Sequence, residues 1–148
     1  MTYNNIRHLK LLKRFLYLKN QAKDLYTENQ AEYIELQNYR CALYHHIFWE
    51  EREKFILLIE NYIHNWIDEE QFEIAFSQLW QERMEVYDTL EVDLKGLKNF
   101  ELDATSDKFG SLITAIFRQF EVLEDEDLTE QEFKAYVQKI LREIQLYI

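Results

Sequence analysis

Two glycines and no proline in 148 residues constrain this chain more than any other feature. Sheets joined by tight turns need Gly, Asn-Gly or Pro at many corners. Long helices joined by a few loops do not. The chain is therefore expected to be all-α. Hydrophobic residues make up 47% and aromatics 16%, enough material for a core. A domain of this length buries roughly 70% of the surface its unfolded chain would expose, so one domain spanning 1–148 is expected.

The pattern along the chain is helical almost throughout. Ile6, Leu9, Leu12, Leu16 and the flanking Leu11, Phe15 and Leu18 recur at three- and four-residue spacings and predict a first helix over 4–26. Its bases Arg7, Lys10, Lys13, Arg14, Lys19 and Lys23 all precede the first acid, Asp24. Residues 28–66 read as one long helix or two joined by a kink, with Tyr33, Leu36, Tyr39, Leu43, Ile47, Phe55, Ile59, Tyr62 and Trp66 in period. Asp68 is placed to cap the next helix, with Glu69 and Glu70 in the first turn, where acids suit the helix dipole. Its buried stripe should be Phe72, Phe76, Leu79, Trp80, Met84 and Tyr87, with Gly96 as a stop signal. Ser106 is a candidate cap for a helix over 107–122. Thr129-Glu130-Gln131-Glu132 has the form of a capping box and opens a last helix. The expected architecture is an antiparallel bundle of about five helices.

Charge is unevenly placed. The net charge is −11. Residues 1–66 hold nine bases and eight acids, a net +1, whereas residues 67–148 hold eight bases and twenty acids, a net −12. Such a field repels nucleic acid and anionic membrane from the C-terminal half and attracts basic partners. The basic helix at the start can lie on a membrane surface or pack on the acidic remainder of the chain. One cysteine, Cys41, excludes an internal disulfide and suits a reducing compartment, cytoplasmic or inside an organelle. There is no apolar run long enough for a membrane span and no signal-peptide shape.

Several chemistries fail on spacing. No histidine has a Glu three residues before it, as a di-iron bundle requires. Cys41/His45 and His46/Glu50 are i,i+4 pairs, but two ligands do not make a metal site. The loop starting at Asp103 imitates a calcium loop but has Lys108 where Gly is needed and Thr114 where Glu is needed. Cys41 is expected in mid-helix among apolar and aromatic neighbours, where thiols are usually inert. No phosphate-cradling loop or nucleophile elbow is present. No enzyme activity, cofactor or metal is expected.

The acids remain as a candidate interaction surface: Glu69, Glu70, Glu73, Asp103, Asp107 and the tract Glu124, Asp125, Glu126, Asp127. A protein that blocks a nuclease competes with a polyphosphate and can set carboxylates where phosphates would sit.

Residues 66–148 resemble the colicin D immunity-like family. The likeness rests on Ile67-Asp68-Glu69-Glu70-Gln71-Phe72, then Phe76, Leu79-Trp80 and Arg83. It continues in Phe100-Glu101-Leu102-Asp103, Ser106-Asp107-Lys108-Phe109 and Leu128-Thr129-Glu130-Gln131-Glu132-Phe133. The chain departs from the family pattern at Ala104, where a proline is usual, and near Val122, where a cysteine is usual. The resemblance implies a helical core over 66–148 with residues 1–65 as an N-terminal helical extension. It also implies an acidic protein that covers the active site of a basic nuclease of the tRNA-cleaving kind. The alternative is a non-catalytic structural or adaptor subunit, docked through the basic helix 4–26.

Overall fold

The computed structural model describes residues 2–94, 99–101, 104–125 and 127–147. Gly96, Asp103 and Glu126, singled out above, lie outside the described residues. Of the described residues 84% are helical, in seven helices, with no strand among them. The helices are α1 (Asn5–Asn20), α2 (Leu25–Glu28), α3 (Gln30–Glu50), α4 (Arg52–Ile63), α5 (Glu69–Val92), α6 (Ala104–Glu124) and α7 (Glu130–Tyr147). The all-α expectation holds, and the count exceeds the five expected for two local reasons. No helix among the described residues is long and apolar enough to cross a membrane.

The first reason is Ala22. The expected helix over 4–26 ends at Asn20, where Ala22 takes φ 57°. The Lys23 N–H reaches the Leu18 carbonyl at 2.8 Å and the Ala22 N–H reaches Lys19 at 3.0 Å. This is the paired 6→1 and 5→2 bonding of a Schellman stop, with alanine in the left-handed position glycine usually fills. Asp24 then caps α2 by accepting from the Tyr26 N–H at 3.2 Å. The second reason is Glu51, a single non-helical residue (φ −108°, ψ 24°) that divides α3 from α4. It realises the kinked form of the 28–66 segment.

α4 stops at a second Schellman turn. Asn65 has φ 60°, and the Trp66 N–H bonds the Asn61 carbonyl at 2.9 Å. Trp66 is therefore outside the helix and 71% exposed, not part of the buried period. Two of the three caps read from sequence form as expected. Asp68 and Gln71 bond each other's backbone at 2.8 and 2.9 Å, and Thr129 accepts from the Glu132 N–H at 3.1 Å. Ser106 does not cap: α6 already begins at Ala104, and Ser106 is buried within its first turn.

The core forms two clusters. One contains Phe48, Phe55, Ile59, Tyr62, Phe72, Phe76 and Leu79 with the inner faces of α6 and α7. Aromatic contacts dominate it, such as Tyr62 stacked on Phe72 at 4.5 Å. The other gathers Tyr3, Leu11, Leu12, Leu18, Leu25, Leu36, Leu43, Ile47 and Leu94. The first cluster takes residues from both sides of position 65. Trp80, expected inside, is half-buried: it stacks flat on Phe117 at 4.2 Å, so the two rings cover each other. α1 buries His8, Leu11, Leu12 and Leu18, leaving Ile6 and Leu16 exposed. The helix thus buries the flanking Leu11 and Leu18 with Leu12, and a histidine takes an interior place beside them.

Candidate functional site

The start of α5, the end of α6 and the start of α7 bring carboxylates together at one end of the molecule. Glu69, Glu70 and Glu73 lie in the first turns of α5, where the helix dipole favours negative charge. Glu124 is the last residue of α6, where the dipole opposes it. Glu73 is half-buried, and its pKa is pushed up to about 7. Burial is the largest cause, followed by a hydrogen bond with Glu124 and the charges of Glu124, Glu69 and Glu70. Two carboxylates can hydrogen-bond only by sharing a proton. Glu69 is also raised, by burial and then by Glu130 and Asp68.

This end of the molecule was legible in part. Of the nine acids singled out from sequence, Glu69, Glu70, Glu73 and Glu124 interact here. Glu130, read only as part of a capping box, belongs with them. Asp125 and Asp127 are exposed in the connection that follows Glu124. Beneath the acids, the buried Tyr62 hydroxyl has no hydrogen-bond partner. Its pKa is raised by burial first and then by Glu69 and Glu130. Trp66 stands exposed in the turn just before α5, its ring centroid 5.1 Å from that of His64.

Asp107 is elsewhere. Its carboxylate lies 2.5 Å from Nδ1 of the buried His45, and His45 Nε2 lies 3.9 Å from Cys41 Sγ. Asp107 is thus an internal partner, not part of the carboxylate end. Cys41 is exposed, contrary to the expectation of a thiol sunk among apolar groups, because α3 turns this position outward. The pairing of His45 with a residue 62 positions away leaves no trace in local spacing. Only the Cys41/His45 i,i+4 relation was visible.

Two of the five bases of α1, Arg7 and Arg14, are used within the fold. Arg7 grips Glu35 with two nitrogens, at 2.7 and 2.8 Å, and Arg14 pairs with Glu32 at 2.8 Å. His8, at the buried face, meets the Tyr3 hydroxyl at 2.7 Å. Burial lowers its pKa to about 4, with Glu91 opposing and Arg40 adding to the effect. At neutral pH its 3.8 Å approach to Glu91 is therefore not an ion pair. Glu91 instead binds Arg40 at 3.0 Å and accepts from Tyr87 at 2.6 Å. Among the described residues, no group of three or more His, Cys, Asp or Glu is arranged to hold a metal ion.

The residues behind the family resemblance are mostly packing residues. Phe72, Phe76, Leu79, Ser106, Phe109 and Phe133 are buried, and Phe100 stacks on Tyr3 at 4.6 Å. No family model, curated protein or solved structure matches the chain.

Proposed function

We propose that this protein is an acidic binding protein whose carboxylate end docks on a basic protein and, by the family resemblance, inhibits a basic nuclease by covering its active site. The observation that supports this most is the Glu73–Glu124 pair. A partly buried acid crowded by Glu124, Glu69 and Glu70 destabilises the free chain. A cationic partner relieves that repulsion, so the arrangement favours the bound state. Exposed Trp66 beside the acids adds an aromatic anchor of the kind that dominates interface energetics. The acids around it supply steering, which raises association rate and makes it salt-dependent.

The adaptor reading keeps one observation of its own. α1 leaves Ile6 and Tyr17 exposed although Arg7 and Arg14 are paired internally, so an apolar partner surface could meet that helix.

The experiment is an affinity capture from native extract with wild type and with the Glu69→Gln, Glu70→Gln, Glu73→Gln, Glu124→Gln variant, followed by an RNA-cleavage assay of the captured partner. A basic partner that is lost with the variant and whose cleavage is suppressed by wild type supports the proposal. An acidic partner, or one retained equally by both, removes the carboxylate end from the mechanism.

A further inference from the structure

The relay through His45 has the connectivity of an activated nucleophile. Nδ1 faces the Asp107 carboxylate at 2.5 Å and Nε2 faces the Cys41 thiol at 3.9 Å. With Asp107 accepting from Nδ1–H, the lone pair of Nε2 points at the thiol. That is the order nucleophile, base, orienting acid by which thiol and hydroxyl nucleophiles are recognised whatever the fold. The sulfur–nitrogen distance is at the long end of contact, as is common before substrate arrives.

The imidazole is held in place. It is buried between α3 and α6, and α6 passes it at Gly110. A Cβ on Gly110 would stand 2.4 Å from His45 Cδ2. Only glycine lets the two helices close over the ring, which fixes the rotamer that joins Asp107 to Cys41.

The thiol opens on a cavity of about 410 Å³ lined by Gln37, Arg40, Tyr44, His45 and Arg118. Arg40 is committed to Glu91 through one terminal nitrogen, and its Nε is buried away from the cavity's solvent. Arg118 is exposed and has no ion pair among the described residues. A free guanidinium beside a nucleophile favours a substrate carrying a carboxylate or phosphate.

We propose that Cys41, His45 and Asp107 form a nucleophilic thiol site that accepts an acyl group from a small anionic acyl ester or thioester. Nε2 of His45 takes the thiol proton as sulfur attacks the acyl carbon. A thioester bond to Cys41 forms and the carbon–oxygen or carbon–sulfur bond of the donor breaks. The proton on His45 passes to the leaving alcohol or thiol, so protons and electrons balance without an oxidant or reductant. Arg118 holds the anionic end. The site uses none of the acids at the end of α6 and is independent of the docking surface described above.

A satisfied core histidine beside a passive thiol predicts the opposite response to one substitution. The charge of Asp107 raises the Cys41 pKa, after burial itself. In a passive thiol, Asp107→Asn would lower that pKa and speed acylation. In the proposed site it turns the imidazole to the wrong tautomer and slows acylation. Asp107 is 58% exposed, so the variant folds without opening a cavity.

The test uses two nitrophenyl esters, the neutral acetate and the anionic succinate monoester, on the full chain, with Cys41→Ser as background. Nitrophenolate release and the mass of the acylated chain give the rate at Cys41. Wild type should favour the succinate ester relative to a free model thiol. Asp107→Asn should lose roughly a hundredfold with both esters, within the usual range for a general base, and Asp107→Glu should regain part of it. Arg118→Gln should slow only the succinate ester. An Asp107→Asn chain that melts like wild type and reacts as fast or faster overturns the site. Equal preference for the two esters overturns the substrate class.

Discussion

Replacing Glu73 by glutamine tests whether the carboxylate end is under electrostatic load. Free glutamate side chains ionise near pH 4.5, and Glu73 in the fold does so near 7. The folded chain therefore holds this proton where the unfolded chain releases it. The sign follows: the penalty is absent below about pH 4.5, grows as pH rises to 7 and is complete above it. The full shift corresponds to about 3 kcal/mol, but Glu73 is only half-buried and solvent screening reduces this to roughly 1–2 kcal/mol. Glutamine keeps the size of the side chain and removes its charge, so the burial cost and the charge conflict both go. Glu73→Gln should raise the melting temperature by about 3–6 °C at pH 8, from the usual entropy of unfolding for a domain of this size. At pH 4 the two proteins should melt together. Thermal unfolding followed by circular dichroism at both pH values measures this. A variant no more stable than wild type at pH 8, or one equally stabilised at both, would refute the reading that Glu73 and Glu124 oppose each other.

Two further substitutions test the backbone account. Gly110→Ala should destabilise by about 1–3 kcal/mol, as overpacking does, although helix propensity alone predicts a gain of about 1 kcal/mol. Urea unfolding decides the sign. Ala22→Gly should stabilise by up to about 1 kcal/mol, because a side chain in the left-handed region costs about that much. A loss in the same assay would show that the Schellman stop after α1 is not strained.

What the sequence reveals depends on whether the chemistry is local. Asp68 with Gln71 and Thr129 with Glu132 are caps closed within four residues, and both form as read. The scarcity of Gly and Pro gives the all-α class for the same reason. The end of α1 was invisible because alanine, not glycine, takes the left-handed position. The full rotation of α1 was not legible because His8 enters the interior through its Nδ1 contact with Tyr3, a contact no apolar periodicity encodes. The carboxylate end was half legible: acids mark the loops and first turns, but only tertiary packing decides that Glu73 meets Glu124 while Asp107 turns to His45. Trp80 was read as core because its spacing matched Phe76; one side of it does meet buried Phe48, yet its stacked face is covered by another half-buried ring.

α3 has a consequence for how the molecule comes apart. It places Leu36, Ala42, Leu43 and Ile47 in one hydrophobic cluster and Phe48, one residue further on, in the other. Neither cluster can lose its order without stripping a face from the same continuous backbone ladder. The helices that build the two clusters are thereby bound into one cooperative unit. Unfolding by denaturant should follow a single transition, with the slowest-exchanging amides between residues 42 and 48.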